Sequence, residues 1–383
     1  MTTPSASPPG PLAGLLVCDL SRVLAGPLVA MTLGDLGAEV IKVEAPAGDE
    51  TRSWGPPYDA AGQSTYHHAA NRNKRSVVLD FADADDLELA RRLCRRADVV
   101  VANFRPGTLE RYGLDYEATE RANPGVVYCE LSGFGEGAGR ELVGYDPLAQ
   151  ALGGLMSITG PPEAPSKVGV ALVDVIAALY MTSAVLAALH ERHTSGCGQR
   201  LTTNLLQVTL AALANQATAW LDAGVLPERL GNTHPSIEPF ATYAAADGPL
   251  MLCVGNERQF EALAEALDRP ELAADARFAD NAARVLHRLE LRNELERLLS
   301  GRTAAEWTER LSAVGVPAGP VQSVAEAFAL AERLGLDPVD ATAGVRTVRF
   351  PVRLSRSPAQ VRRPPPALGA QSEEIRAWLE AGP

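Results

Sequence analysis

The chain has 383 residues, of which 46% are hydrophobic and 21% charged, and its formal net charge is −12. This length accommodates two domains with full-sized cores, and the composition is ordinary for a soluble protein. The acidic balance argues against nucleic acid or an anionic membrane as a partner. An anionic ligand must therefore be bound by a local cluster of basic side chains.

The N-terminal segment and the cysteines indicate a cytoplasmic protein. Residues 1–11 are rich in Ser, Thr and Pro and lack the apolar core of a signal peptide, and no apolar stretch approaches the length of a membrane span. The five cysteines are scattered, without a C-x-x-C motif and without metal-ligand spacing to a histidine. We expect reduced thiols and no metal site, since adjacent His67 and His68 point apart and have no third ligand nearby.

Strand and helix patterns alternate from Gly14 onward. In chain order these are a strand at Leu15–Leu20, a helix at Gly26–Leu36, strands at Glu39–Glu44 and Ser76–Asp80, a helix at Ala84–Arg96, and strands at Asp98–Asn103 and Val126–Leu131. The short links between them predict a parallel sheet with right-handed crossovers. Long helices rich in Ala and Leu follow at Asp174–Arg192 and Leu205–Ala223.

The pattern changes near residue 225. A hairpin is predicted at Phe240–Ala246 and Leu250–Val254, and helices are predicted at Gln259–Leu267, Val285–Leu299 and Thr303–Val314. We therefore assign residues 12–224 to the N-terminal part of a large domain and residues 225–320 to a smaller domain. Residues 321–383 return to the large domain through a Pro-rich extended tail that ends in a short helix at Gln371–Leu379.

The first strand–helix–strand unit resembles a dinucleotide site, but its turn does not. The turn Ser21–Pro27 lacks the G-x-G that brings backbone close to a pyrophosphate. The run Gly133–Gly139 follows a strand and opens no clear helix, so we interpret it as a mobile loop. These two observations disfavour NAD.

The segment Asn103–Gly107, at the end of the predicted strand Asp98–Asn103, is followed by basic side chains within and just after it. Because ligands gather at the carboxyl ends of parallel strands, Arg105 and Arg111 are candidates for binding phosphate, and the neighbouring Phe104 for stacking on a purine. A solvated basic surface is the alternative interpretation.

Asp174 is the only acidic residue between Glu163 and Glu191, and it opens a long apolar run. An ionised carboxylate in apolar surroundings costs several kcal/mol unless it is paired or hydrogen-bonded. Asp174 is therefore either a helix N-cap or a catalytic carboxylate held away from water.

Taken in order, several blocks of the chain resemble the family III CoA-transferases, the group of formyl-CoA transferase and carnitine CoA-transferase. The resemblance runs from about Gly14 to Leu368. The matching blocks are Asp19–Pro27, Leu36–Glu44, Gly48–Arg52, Asn73–Ser76, Asn103–Gly107, Gly144–Asp146, Asp174, Gly196–Gln199 and Gly315–Pro320.

The resemblance implies an α/β fold with a Rossmann-like, parallel-sheet large domain that binds CoA, a smaller α+β domain, and a homodimer of interlocked rings. The partners are then an acyl-CoA, a small carboxylic acid and a second copy of the chain. The CoA thioester is a substrate, and no cofactor is bound permanently. Asp174 matches the catalytic aspartate, and the positions that resemble CoA contacts are Ala25, Asn103, Phe104, Arg111 and Tyr145, to which we add Arg105.

The chemistry that the resemblance implies gives Asp174 a role. Its carboxylate attacks the donor thioester to form an acyl–aspartyl anhydride, and the released thiolate then forms an enzyme–CoA thioester that the acceptor acid opens. Water must be excluded, and backbone N–H groups at the start of the helix are expected to stabilise an oxyanion.

Several positions depart from the formyl-CoA enzyme, and they leave its formate and oxalate specificity unsupported here. Arg22 replaces a His, Leu24 a Gln, Ala45 an Arg and Val143 a Lys. The acids themselves are not identified by the sequence, although a small dicarboxylate such as succinate is consistent with the family.

Two alternative functions remain. A 2-methylacyl-CoA racemase shares the fold but carries a His where Tyr145 stands, and a phenol holds its proton too tightly for the second acid/base group that racemisation needs. A non-catalytic acyl-CoA-binding protein is the other alternative, against which the intact Asp174 argues.

Overall fold

The structure is a computed structural model, and it describes residues 10–342 and 344–381. The described strands are β1 (Leu16–Asp19), β2 (Glu39–Glu44), β3 (Lys74–Val78), β4 (Val99–Ala102), β5 (Val127–Ser132), β6 (Gln199–Asn204), β7 (Phe240–Ala244), β8 (Pro249–Cys253), β9 (Ala318–Pro320), β10 (Val339–Asp340) and β11 (Thr347–Val348). The described helices are α1 (Ala25–Asp35), α2 (Thr65–His68), α3 (Ala84–Arg96), α4 (Tyr116–Ala122), α5 (Asp146–Leu152), α6 (Leu155–Ile158), α7 (Leu172–Ser195), α8 (Leu205–Ala212), α9 (Asn215–Ala223), α10 (Glu257–Ala266), α11 (Glu271–Ala274), α12 (Asn281–Leu286), α13 (Arg288–Leu299), α14 (Ala304–Ala313), α15 (Val324–Arg333) and α16 (Ser372–Glu380). Short 3₁₀ turns occur at Glu50–Ser53 and Leu109–Tyr112.

The chain divides into two compact units. Unit 1 comprises the described residues up to 155, residues 168–225 and those from 337 onward, and unit 2 comprises residues 156–167 and 226–336. The sequence-based division placed residues 156–167 and 321–336 with the large domain, whereas the structure groups them with unit 2.

Unit 1 is built on a parallel sheet of six described strands in the order β3-β2-β1-β4-β5-β6. This is the strand order of Rossmann folds, and it confirms the predicted α/β class with a parallel sheet. The central strand β4 is buried at every residue, because helices cover both faces. One face packs against α1, α7 and α8, and the other packs against α3 and the C-terminal α16.

Helix α7 corrects one sequence-based expectation. It has 24 residues and is apolar enough to cross a membrane by length and composition alone, so the expectation that no stretch approaches that length is wrong. Half of the apolar segment of α7 is buried within the protein. Val173, Met181 and Val185 pack against the sheet in the hydrophobic core. The apolar character of α7 is therefore that of a core helix.

Two other local differences have clear physical causes. Strand β6 was not predicted because it is a half-exposed edge strand with the polar sequence Gln-Arg-Leu-Thr-Thr-Asn. The predicted helix Leu205–Ala223 is divided into α8 and α9 at Ala214, whose φ of 46° lies in the left-handed region that disfavours a side chain.

Unit 2 contains the predicted hairpin. Strand β7 pairs antiparallel with β8, and β9 extends this sheet on the other side of β8. Phe260, Leu291 and Trp307 pack on it in a separate hydrophobic core. The predicted helix Val285–Leu299 is observed as α12 and α13, and α15, which begins with a capping box at Ser323 and Glu326, was not predicted.

The C-terminal tail is tied to unit 1. Between β11 and α16 its described residues form no helix or strand, and the extended course of the Pro-rich segment stays a prediction. The Asn73 side chain holds it, because its carbonyl oxygen accepts bonds from the Arg362 and Arg363 N–H groups and its amide donates to the Gln360 carbonyl oxygen.

Candidate active site

A cavity of about 370 Å³ lies in unit 1 where the strand order reverses, outside the carboxyl ends of β1, β4 and β5. Open parallel sheets bind their ligands at this position. The described side chains and backbone that line it are Arg22, Val23, Leu24, Ala25, Glu50, Asn103, Phe104, Arg105, Pro106, Leu131, Ser132, Gly133, Phe134, Gly135, Gly139, Arg140, Leu142, Val143, Gly144, Tyr145, Asp174 and Leu205.

The structure brings six of the seven predicted site residues to this cavity, namely Ala25, Asn103, Phe104, Arg105, Tyr145 and Asp174. Arg111 is not among the lining residues. It is exposed on the 3₁₀ turn Leu109–Tyr112. Its predicted contact with CoA stays a prediction.

The loop from β1 to α1 is held against the loop after β4. The Asn103 side chain accepts a bond from the Arg22 N–H at 2.8 Å and donates one to the Arg22 carbonyl oxygen at 2.6 Å. The next residue, Val23, has a φ of 69°, which is strained for a β-branched side chain. The Arg22 guanidinium lies 4.9 Å from the centroid of the Phe104 ring. Asn103 therefore acts on the loop backbone, while Arg22 and Phe104 form a stacked pair at the cavity wall.

Buried ion pairs contact and stabilise the loop from β1 to α1. Lys42 Nζ lies 3.0 Å from Asp49 Oδ2, and Lys74 Nζ lies 2.8 Å from Asp19 Oδ2. Lys42 also donates to the Ser21 carbonyl oxygen. Burial alone would raise the pKa of Asp49, but the Lys42 ammonium and hydrogen bonds from Thr51 lower it to about 2. The carboxylate therefore stays ionised, and it accepts the N–H of strained Val23.

Asp174 lies in the first turn of α7 with 9% of its surface exposed. No described residue donates a hydrogen bond to its carboxylate. Burial, and then the negative charge of Asp146, raise the pKa of Asp174 from 3.8 to about 7. The carboxylate is thus desolvated and unpaired, which is the condition expected of a reactive group and not of a structural one.

The N-cap interpretation of Asp174 is not what the structure shows. The N-cap position of α7 is Ala171, which makes no side-chain cap. Instead, Asp146 Oδ1 accepts the N–H groups of Val173 at 2.7 Å and Asp174 at 3.1 Å. The expectation that N–H groups at the start of α7 stabilise an oxyanion is wrong for Val173 and Asp174, because both N–H groups already donate to Asp146 Oδ1.

Sequence reasoning missed two groups near Asp174. Asp146 lies in the block Gly144–Asp146 that resembles the family, but no sequence pattern indicated that its side chain caps the distant helix α7. Tyr66 on α2 was not noticed, and its ring packs edge-on against Trp54 at 5.0 Å. Burial, and then the charges of Asp174 and Asp146, raise the pKa of Tyr66 to about 12, so its phenol stays protonated.

The glycine-rich run lines the cavity by close backbone contact. A Cβ added to Gly133 would lie 2.5 Å from the Cα of Gly144, so neither position has room for a side chain. This contact brings the strand end of β5 next to Tyr145, whose hydroxyl lies 3.5 Å from Glu50 Oε2.

Comparison with known proteins agrees with these observations. The sequence profile of CoA-transferase family III matches residues 12–372. The succinate–glutarate CoA-transferase of Agrobacterium fabrum is 43% identical over 97% of this chain and 96% of that protein. The acetyl-CoA:oxalate CoA-transferase of Acetobacter aceti is 38% identical over 99% of this chain and 98% of that protein.

A solved structure supports the same assignment. The crystal structure of a CAIB/BAIF family protein from Brucella suis has a TM-score of 0.88 to this chain at 42% identity, and the match covers 97% of this chain and 100% of that one. The resemblance noted in the sequence is confirmed: this chain belongs to CoA-transferase family III and is a CoA-transferase.

Proposed function

We propose that this enzyme transfers CoA between two carboxylic acids by covalent catalysis on Asp174. One observation carries the proposal: a buried, unpaired carboxylate opens onto the cavity at the switch point of the sheet. The other carboxylate among the described lining residues, Glu50, is exposed. Only Asp174 therefore has the desolvated environment that strengthens a nucleophile and protects an anhydride from water.

Charge and apolar surface near Asp174 support CoA as the ligand. Arg105 and Arg140 line the cavity and supply positive charge in a chain of net charge −12. Phe104 and Arg22 also line an adjoining cavity of about 310 Å³ in unit 1. We propose that the nucleotide of CoA lies beside Phe104 and extends toward Arg111, while the thioester reaches Asp174 past Ala25, Asn103 and Tyr145.

We further propose dicarboxylic acids as substrates. The relatives named above act on succinate, glutarate and oxalate by their names. The Arg22 guanidinium makes no hydrogen bond or ion pair with any described residue, although it stacks on Phe104. An unpaired guanidinium in the same cavity as the nucleophile is suited to bind the second carboxylate of such an acid.

The assembly is proposed as an interlocked homodimer. Large apolar side chains of unit 1 are exposed on α7 and α9, among them Leu179 (60%), Trp220 (55%) and Leu221 (77%). Apolar surface of this kind marks an interface, and a second copy of the chain would cover it. The interlocked arrangement itself rests on family membership.

We place the enzyme in the cytoplasm without a permanently bound cofactor, and with neither nucleic acid nor membrane as a partner. The described cysteines are free thiols, including Cys18 and Cys94, whose sulfur atoms lie 3.8 Å apart. Two thiols this close that form a hydrogen bond and no disulfide suit a reducing compartment.

Trapping the intermediate tests the covalent step. The enzyme is incubated with succinyl-CoA, quenched with hydroxylamine, digested and examined by mass spectrometry. We expect a hydroxamate on the peptide that carries Asp174 and on no other, because hydroxylamine opens both an anhydride and a thioester at this carbonyl. Asp174→Asn is the control and should remain unlabelled. Label on another peptide, or full turnover by the variant, would refute the proposal.

A further inference from the structure

The start of α7 is held by a carboxylate from elsewhere in the fold. Asp146 is the first residue of α5, 28 positions before Asp174, and is 3% exposed. Its Oδ1 accepts from the Val173 and Asp174 N–H groups, and its Oδ2 accepts from Gln150 Nε2 at 2.6 Å. Gln150 is itself fixed, because its carbonyl oxygen accepts the Val168 N–H at 2.9 Å. The Asp146 side chain is thus locked from both sides.

Asp146 replaces a cap that the local sequence lacks. Ala171, at the N-cap position, has no side-chain acceptor, and the N–H groups of Leu172 and Val175 bond to the carbonyl oxygens of Val170 and Ala171. Val173 and Asp174 would otherwise have unsatisfied N–H groups at the end of a long helix. A charged acceptor at this position also interacts favourably with the helix dipole.

The same carboxylate faces Asp174 as a like charge. Asp146 raises the pKa of Asp174 in addition to burial, and Tyr66, which also faces it, is a neutral phenol. The other charged groups at the cavity wall are Arg22, Glu50, Arg105 and Arg140, and no described residue forms an ion pair with Asp174. The repulsion between Asp146 and Asp174 is therefore not neutralised by a neighbouring cation in direct contact.

We propose that Asp146 is a positioning residue that fixes the first turn of α7 and favours the acylated form of Asp174 over its free carboxylate. The inference rests on Asp174 being the nucleophile. When Asp174 attacks the thioester carbonyl, a C–O bond forms, the C–S bond breaks and the negative charge leaves with the CoA thiolate. Asp174 becomes an uncharged acyl anhydride, so the repulsion from Asp146 disappears in the product of the step.

Neutral caps at position 146 remove the charge and keep an acceptor for the helix. Asp146→Asn and Asp146→Ser both keep an oxygen that accepts the Val173 and Asp174 N–H groups, and both lose the second acceptor that bonds Gln150 Nε2. Asp115→Asn is the matched control, because Asp115 caps α4 through the Ala118 N–H at 2.8 Å and lies outside the cavity lining. The rate of acyl-enzyme formation is measured against pH by rapid quench with saturating succinyl-CoA.

The acid limb of this profile is the fall in rate at low pH, where Asp174 becomes protonated. We expect it to move to lower pH in both variants at position 146, because the repulsion from Asp146 is removed. With a pKa of about 7, roughly 3% of wild-type Asp174 is ionised at pH 5.5. The fraction of the pH 8.5 rate that remains at pH 5.5 should rise at least about threefold, the effect of half a pH unit. The equilibrium fraction of acyl-enzyme in the presence of free CoA should fall at pH 8.5. Asp115→Asn should leave both quantities as in wild type.

The outcomes separate this inference from the proposed function. An unmoved acid limb in both variants overturns the inference, and so does a uniform loss of rate at every pH, which is what a purely structural cap predicts. Failure of both variants to fold also counts against it, because Asp146 would then be needed for folding alone. If Asp174→Asn keeps normal turnover, the nucleophile itself is wrong; if it is inactive while the limb stays unmoved, only the role of Asp146 fails.

Discussion

Replacing Asp174 with Asn is expected to stabilise the fold at alkaline pH while it abolishes turnover. Burial and the Asp146 charge raise the pKa of Asp174 from 3.8 to about 7. The native state therefore retains a proton that the unfolded chain releases above about pH 4. Stability contributed by this group is present below that pH and is lost as the pH rises through 7.

The magnitude follows from this difference. At about 1.4 kcal/mol for each pH unit between 3.8 and about 7, the ionised carboxylate costs the native state roughly 4 kcal/mol. The Asp174→Asn variant avoids that cost, although a poorly satisfied buried amide costs about 1–3 kcal/mol. We expect a net gain of about 1–3 kcal/mol at pH 8.5 and no gain at pH 4, where the wild-type carboxyl is protonated.

Urea unfolding of wild type and variant at these two pH values measures the effect, with acyl transfer assayed on the same preparations. Asp115→Asn serves as the control, because it makes the same chemical change at a helix cap that bonds the Ala118 N–H. That variant should lose stability at pH 8.5. An Asp174→Asn protein that is no more stable than wild type at pH 8.5 would refute the account of Asp174 as an unpaired buried carboxylate.

Four further predictions follow from the site. Arg22→Leu should raise KM for succinate about tenfold and leave KM for butyrate unchanged, because only succinate carries a second carboxylate. Arg111→Ala should weaken CoA binding about tenfold or more by calorimetry, whereas Arg121→Ala should not. If Arg111→Ala binds CoA as tightly as wild type, the proposed position of the nucleotide is wrong. Trp220→Glu should yield monomers by light scattering at nanomolar protein, unlike the exposed Leu286→Glu in unit 2. A 2-methylacyl-CoA should take up no enzyme-dependent deuterium from D₂O at its α-carbon, since uptake would indicate racemase chemistry.

The sequence was sufficient for strands and helices with a clear apolar pattern. Strand β2 and helix α3 have the predicted bounds, because β2 carries the buried β-branched residues Val40, Ile41 and Val43 and α3 is an amphipathic helix capped by Asp83. Strand β6 escaped because a half-exposed edge strand has no apolar run to recognise. The break at Ala214 escaped because alanine normally favours helix, and only the tertiary structure imposes its positive φ.

The candidate site could be predicted only in part, because some of its contacts join residues that are distant in the sequence. Asp174 was conspicuous because a lone acid in an apolar run is costly, whereas the turn between β1 and α1 lacks the G-x-G of a dinucleotide site and was marked only by the family resemblance. The cap that Asp146 provides joins two elements 28 residues apart, and neither Ala171 nor Asp146 indicates it locally. Tyr66 lies on a four-residue helix whose sequence has no catalytic pattern. Both assignments required the fold.

The contrast among buried carboxylates at this sheet edge shows why Asp174 is chemically distinct. Glu44 and Asp49 are as buried as Asp174 or more so, yet each is paired with a cation, and burial is outweighed so that the pKa of each is lowered to about 2. Asp19 is fully buried against Lys74, and its pKa is also lowered. Burial acts to raise the pKa of all four carboxyls, and in Glu44, Asp49 and Asp19 the paired cation and hydrogen bonds outweigh it. The fold supplies a cation to each of these three carboxylates and a second carboxylate to Asp174, an arrangement that would favour loss of the Asp174 charge in the proposed acylation.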